Sequence, residues 1–319
     1  MKKTLVFLFT IVLATALAAC GTKNASEPAS GNSTEAQQSE EMTIKHQLGE
    51  TVVKKNPSKV VVFDFGTLDT LDKLGVEVTA VPQTSIPSYL EKYKDTKYVN
   101  AGGLKEPDFE KISEINPDLI IISGRQADSY EEFKKLGPTI YMGVDTTKYM
   151  ESFKENAKTL GQIFGKEAEV DKELASIDES IKALNEKVAA NKKNSLIILA
   201  NEGKISAYGP ASRFGIIHDV FGYPAVDTSL DPKQTHGNSV SYEYIAEKNP
   251  NVLFVVDRNK VVAKNSQSSA QSAIENDIVK KTTAYQEGKI IYLDPDYWYL
   301  SGGGLISVAE MVKEIEASV

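Results

Sequence analysis

One segment of this chain occurs twice, and that limits its fold more than any other feature. Asp108–Arg125 reads DFEKISEINPDLIIISGR and Ser241–Arg258 reads SYEYIAEKNPNVLFVVDR, aligned without a gap at one offset, 241 − 108 = 133. In each copy a helix-capping residue, Asp108 or Ser241, precedes an aromatic and a glutamate, Phe109-Glu110 or Tyr242-Glu243. Apolar side chains at Phe109, Ile112 and Ile115, matched by Tyr242, Ile245 and the shorter Ala246, suit a short helix with one buried face. Asn116-Pro117 and Asn249-Pro250 end it, because the residue before proline is pushed out of helical backbone. The β-branched runs that follow, Leu119–Ile122 and Val252–Val256, predict strands covered on both faces. Each copy therefore delivers an arginine, Arg125 or Arg258, beyond the carboxyl end of a buried strand. That is where open α/β sheets place their ligands.

Two related α/β lobes follow, each Rossmann-like with a central sheet. Val60–Phe63 predicts a strand, Thr67–Leu74 a short helix stopped by Gly75, and Val76–Val81 another strand. In the second half Leu196–Ala200 reads as a strand and Arg213–Gly222 as a loop and short helix. Between them, Lys166–Asn191 is free of glycine and proline, and Val170, Leu174, Ile177, Ile181, Leu184 and Val188 fall on one stripe. Such a helix extends about 35 Å, enough to run along both lobes as a rigid backbone. The expected layout is a first lobe over 45–163, the helix over 164–191 and a second lobe over 192–319, with ligand in the cleft between the lobes.

The chain begins MKKTLVFLFTIVLATALAAC: two lysines, a short apolar stretch and a small-residue end, the pattern of an export signal. Leu17-Ala-Ala-Cys20 resembles the lipobox of bacterial lipoproteins, in which the cysteine carries diacylglycerol and palmitate. Cys20 is the sole cysteine, so no disulfide forms within one chain. Gly21–Glu41, GTKNASEPASGNSTEAQQSEE, has almost nothing apolar to bury, and residues 21–44 are expected to be a flexible tether. Removing the signal with Lys2 and Lys3 takes the formal charge from −8 to −10. A clearly acidic chain argues against nucleic acid as a partner.

Arginine is scarce here: of 36 basic residues only Arg125, Arg213 and Arg258 are arginines. A surface can use lysine, whereas a planar, permanently charged fork suits oxygen-rich anions and aromatic faces. The three are expected to face one bound anion, Arg213 from the turn-rich loop YGPASR. Lys105 is placed at the rim, His236 on a loop that can meet ligand, and Trp298, in DYWYLSGGG, beside the cleft. The glycines 302–304 either expose backbone N–H groups to an anion at the start of the last helix or simply turn the chain. His218, within a short apolar helix, is expected to be packed or hydrogen-bonded, and no direct metal site is supported by His46, His218 and His236.

These residues together resemble the substrate-binding lipoproteins of bacterial ABC importers, in the cluster whose two α/β lobes share one backbone helix and which handles ferric siderophores, haem and cobalamin. Lipobox, EPDFEKISEINPDLIII, connecting helix and SYEYIAEKNP carry the resemblance over nearly the whole mature chain. VVFDFGTLDTLDKLG, GRQADSYEEF, YGPASRFG and WYLSGGG are similar to the ferric petrobactin-type receptors of Bacillus and its relatives. The resemblance implies a ferric siderophore as ligand, catecholate or mixed catecholate/citrate, with iron held inside the ligand and no cofactor. It implies docking of Glu110 and Glu243 against arginines of a membrane permease served by a cytoplasmic ATPase, and a lipid anchor on the extracellular face of the cell membrane. A haem or cobalamin receptor of the same fold is the alternative. A surface-anchored enzyme is the other class, but the chain has no G-x-S-x-G elbow, Walker loop or G-x-G-x-x-G after a strand.

Overall fold

A computed structural model describes residues 40–262 and 270–319. The expected signal over 1–20, Cys20 and residues 21–39 of the expected tether lie outside them. Strands β1 (Glu41–His46) and β2 (Gly49–Lys54) pair antiparallel, and Ile44 and Val53 bury against the first lobe. The tether boundary expected at 44 therefore falls inside a strand. Alternation of Met42 and Ile44 with polar neighbours is the signal that places them there.

The first lobe holds β3 (Val60–Val62), β4 (Ala80–Val81), β5 (Val99–Asn100), β6 (Leu119–Ile122) and β7 (Thr139–Tyr141). They form one parallel sheet in the order β5-β4-β3-β6-β7. The strand expected over 76–81 shortens to two residues, because Gly75 at φ +68 and a bond from Val76 N to Leu71 O are still closing the helix Phe65–Lys73.

The second sheet runs β10-β9-β8-β11-β12, with β8 (Ser195–Asn201), β11 (Val252–Asp257) and β12 (Ile290–Leu293) parallel. Strand β9 (Lys204–Tyr208) is antiparallel to both β8 and β10 (Asn238–Val240). The β8–β9 hairpin closes through Glu202 and Gly203, both at positive φ, the two-residue turn that matches strand twist. Strands β9 and β10, antiparallel where β4 and β5 of the first lobe are parallel, were not expected.

Both repeat copies fold as their spacing predicts. The helices are Phe109–Ile115 and Tyr242–Lys248, capped by Asp108 and Ser241 side chains. Asn116 (φ 50) and Asn249 (φ 42) end them in the left-handed region that asparagine tolerates. Their strands, β6 and β11, are interior to the two sheets. The long helix occupies Glu167–Asn191, its buried stripe running from Val170 to Val188. That stripe shares one core with Phe153 and Ala157 and with Met311 and Ile315 of the last helix, Leu305–Ser318. Among the described residues no helix is long and apolar enough to cross a membrane.

Candidate ligand-binding cleft

Each arginine is placed by hydrogen bonds of its own local backbone. After β6 the chain turns at Ser123-Gly124, and the Ser123 N and Gln126 Oε1 bond at 3.2 Å closes the turn that projects Arg125. Arg258 follows β11 directly, its own N bonded to Ala200 O of β8 at 3.1 Å. Arg213 lies on a loop fixed by Ala211 N on Asp219 Oδ2 (2.6 Å) and Ser212 Oγ on Gly209 O (2.6 Å).

The three converge on one residue, Tyr299. Arg125 donates to Tyr299 O (2.6 Å) and Leu300 O (3.2 Å), and Arg213 donates to Tyr299 O (2.8 Å). Arg258 donates through Nε to the Tyr299 hydroxyl (2.8 Å) and through its terminal nitrogen to Asn201 Oδ1 (2.6 Å). The guanidinium carbons of Arg213, Arg258 and Arg125 lie 4.3, 5.8 and 5.9 Å from the Tyr299 ring centroid. Tyr299 belongs to a π-helical turn, Asp296–Ser301, whose last carbonyls have no partner within the turn. Two cations take those carbonyls. Among the described residues no carboxylate pairs with any of the three arginines, although lysines form ion pairs throughout the surface.

The electrostatics follow from that crowding. Burial and the neighbouring charge of Arg213 lower the Arg125 pKa, with Asp64 and Tyr299 opposing. Burial pushes the Tyr299 phenol up, but the bond from Arg258 and the charges of Arg213, Arg258 and Arg125 outweigh it and hold the phenol below its usual value. Asp64 acts on Arg125 without forming an ion pair with it, so the group of side chains can still take an oxygen anion.

Arg125, Arg258 and Tyr299 line a cavity of about 230 Å³ whose other walls include Thr84, Ser85, Leu104 and Lys105. Lys105 thus lines the same cavity as Arg125 and Arg258. His236 is exposed on the 231–237 loop, with Gly237 packed against the Tyr208 ring, and is not among the side chains lining this cavity. His218 is bonded through Nδ1 to Tyr223 O (2.8 Å). Two larger depressions, of about 570 and 530 Å³, contain no arginine.

Trp298 corrects the reading of the DYWYL stretch. It is 3% exposed, donates from Nε1 to Glu314 (2.6 Å) and meets Phe221 edge-on, so it is a core residue behind the site. Neighbours on a helical turn point in different directions, and it is the next residue, Tyr299, that faces the arginines. Gly302–Gly304 do precede helix N–H donors, but the group that accepts from them is a carboxyl of the chain itself. Asp69 accepts from Ile306 N (3.1 Å) and Ser307 N (3.0 Å), and a Cβ on Gly304 would overlap its carboxylate. Burial raises the Asp69 pKa to about 7 against the pull of bonds from Ser307, Ile306 and Tyr89.

Glu110 and Glu243 occupy matching first-turn positions on their helices, both exposed and neither in an ion pair among the described residues. The bond of Glu243 with its own backbone N–H, and then that with Ser241, lowers its pKa despite slight desolvation.

Residues 60–297 match the family described as periplasmic binding protein. The petrobactin-binding protein YclQ of Bacillus subtilis is 52% identical over 320 residues, 99% of this chain and 98% of that protein. Its crystal structure superposes with a TM-score of 0.84, at 55% identity, over 88% of this chain and 98% of the other. The periplasmic catecholate-siderophore binding protein VctP of Vibrio cholerae superposes with a TM-score of 0.83, at 37% identity, over 87% of this chain and all of that one. Two α/β lobes, a backbone helix between them and this extent of likeness make the chain a member of the periplasmic binding protein family.

Proposed function

We propose that this chain is the substrate-binding component of an ABC importer, and that it captures a ferric siderophore of catecholate or mixed catecholate/citrate type, petrobactin-like, for iron uptake. The observation that carries this reading is the trio of guanidinium groups around Tyr299 with neutral oxygens as their only partners among the described residues. An iron–catecholate centre is a multiple anion with aromatic faces. Its oxygens can replace the Tyr299 and Leu300 carbonyls as acceptors, each charge-assisted bond contributing about 1.5–3 kcal/mol. The names of the relatives, petrobactin-binding and catecholate-siderophore binding, support the same ligand class.

Within this reading Arg125, Arg213 and Arg258 neutralise the chelate, Tyr299 packs against it, and Lys105 contributes at the rim. His236 reaches the ligand only as its loop comes to the cleft. Iron stays inside the siderophore, and no cofactor or chemical step is involved. Glu110 and Glu243 dock against permease arginines, where a two-point contact orients a large partner, and the ATPase acts through the permease. Lipidated Cys20 holds the protein at the extracellular face of the cell membrane.

The test is a titration with ferric siderophore followed through Trp298, the single tryptophan, which neighbours Tyr299 in sequence. Saturable quenching with the ligand recovered unchanged is expected. A flat titration across catecholate siderophores, or steady consumption of the ligand, refutes the reading.

A further inference from the structure

One side chain ties the turn that presents Arg125 to the rim of the cavity. Gln126 is 3% exposed. Its Oε1 accepts from Ser123 N at 3.2 Å, and its Nε2 donates to the Leu104 carbonyl at 2.6 Å. Leu104 and Lys105 line the cavity together with Arg125. The rim turn is closed at its base by Gly103 N on Glu106 O (2.9 Å), Glu106 N on Gly103 O (3.3 Å) and a bridge between Gly102 and Pro107. Gly102, at φ +96, stands where a Cβ would come within 2.8 Å of Asp108 N. The base is thus fixed by its own backbone, while the Leu104 tip is held to the sheet through Gln126.

Building on the siderophore reading above, we infer that Gln126 is a positioning residue for ligand selection, setting the rim of Leu104 and Lys105 at a fixed distance from the Arg125 guanidinium. An amide is the group this place requires, since one end must accept from Ser123 N and the other must donate to Leu104 O. A glutamate would aim an acceptor at a carbonyl and place a negative charge beside Arg125; an apolar residue would leave both backbone groups without their partner. The substrate consequence follows from size. A cavity of about 230 Å³ is smaller than the roughly 300–1,000 Å³ pockets that enclose drug-sized ligands, so a siderophore's linker lies across the rim. Chelates that look alike to the arginines are told apart there.

The experiment compares two probes, ferric petrobactin and ferric tris-catechol, whose chelate has no linker. With Gln126→Met, the Kd for ferric petrobactin should rise about tenfold while that for ferric tris-catechol changes less than threefold. In the Gln126→Met background, Lys105→Ala should add less than a further twofold, because the rim is already displaced. Equal losses for both probes, or fully additive effects of the two substitutions, overturn the inference. If Gln126→Met does not fold, Lys105→Ala alone decides: it must weaken ferric petrobactin at least twofold more than ferric tris-catechol, and a ratio near one overturns the inference. A parent protein that binds neither probe overturns the siderophore reading itself, and this inference with it.

Discussion

Replacing Arg258 by lysine keeps the charge and removes the fork. Arg258 holds two partners at once, Tyr299 Oη through Nε and Asn201 Oδ1 through a terminal nitrogen. A lysine nitrogen sits at the end of a flexible stem and cannot span both while also meeting a ligand oxygen. One charge-assisted bond to the chelate is lost, about 1.5–3 kcal/mol, or roughly 10- to 150-fold in Kd at 1.4 kcal/mol per decade. Lys105 is exposed, so its removal falls in the range of surface charges, about 0.2–1 kcal/mol. The assay is a fluorescence titration of parent, Arg258→Lys and Lys105→Ala with one ferric catecholate siderophore at two salt concentrations. Added salt should shrink the Lys105 effect and leave most of the Arg258 effect, because exposed charges are the ones screened. Equal losses for the two variants, or an Arg258→Lys loss below threefold, refute the claim that guanidinium geometry matters beyond charge.

Three further outcomes are expected. Because the Tyr299 phenol is held below its ordinary pKa, it favours the folded state as it ionises. The stability of the parent relative to Tyr299→Phe should rise with pH through that lowered pKa and level off near 10, as read by denaturant unfolding at pH 8–11. Asp69 is the opposite case: raised from 3.8 to about 7, it stays protonated in the folded chain while the unfolded chain ionises. Stability should therefore fall as pH rises between those values, and Asp69→Asn should flatten that slope in melting curves at pH 4–8. Glu110→Ala combined with Glu243→Ala should leave siderophore affinity in solution unchanged and reduce iron uptake by cells; lost affinity would show that these carboxylates do not serve docking.

Much of the frame was legible because the sequence states it twice. Ile112, Asn116-Pro117 and the run Leu119–Ile122 fix a helix, its end and an interior strand by local rules, and the second copy repeats them. The stripe from Val170 to Val188 is likewise a periodicity that only a helix satisfies. Strands β9 and β10 were not legible, since Lys204–Tyr208 is short and its pairing depends on the backbone twist at Glu202-Gly203. Tyr299 was missed for a different reason. DYWYL announces aromatic packing, but which aromatic faces the cleft depends on the wide π-helical turn, and a shift of one residue exchanges Trp298 for Tyr299. Rarity pointed to the arginines; nothing comparable marks one tyrosine among fourteen.

The partners of the arginines explain how the fold holds three cations together. Three like charges around one ring repel each other, and a surface would disperse them. Here the Tyr299 and Leu300 carbonyls, left over at the end of the π-helical turn, meet the donors of Arg125 and Arg213, while Asn201 and the phenol hold Arg258. Neutral oxygens satisfy the hydrogen-bonding of a guanidinium and leave its charge uncompensated. Folding therefore carries the cost of gathering the cations, and under the proposed function a multiply charged anion recovers it by exchanging neutral acceptors for negative ones in side chains already in place. A carboxylate partner for any of the three would make the empty protein more stable and the bound one weaker. That trade accounts for an acidic chain whose only arginines stand together and form no ion pair with an acid among the described residues.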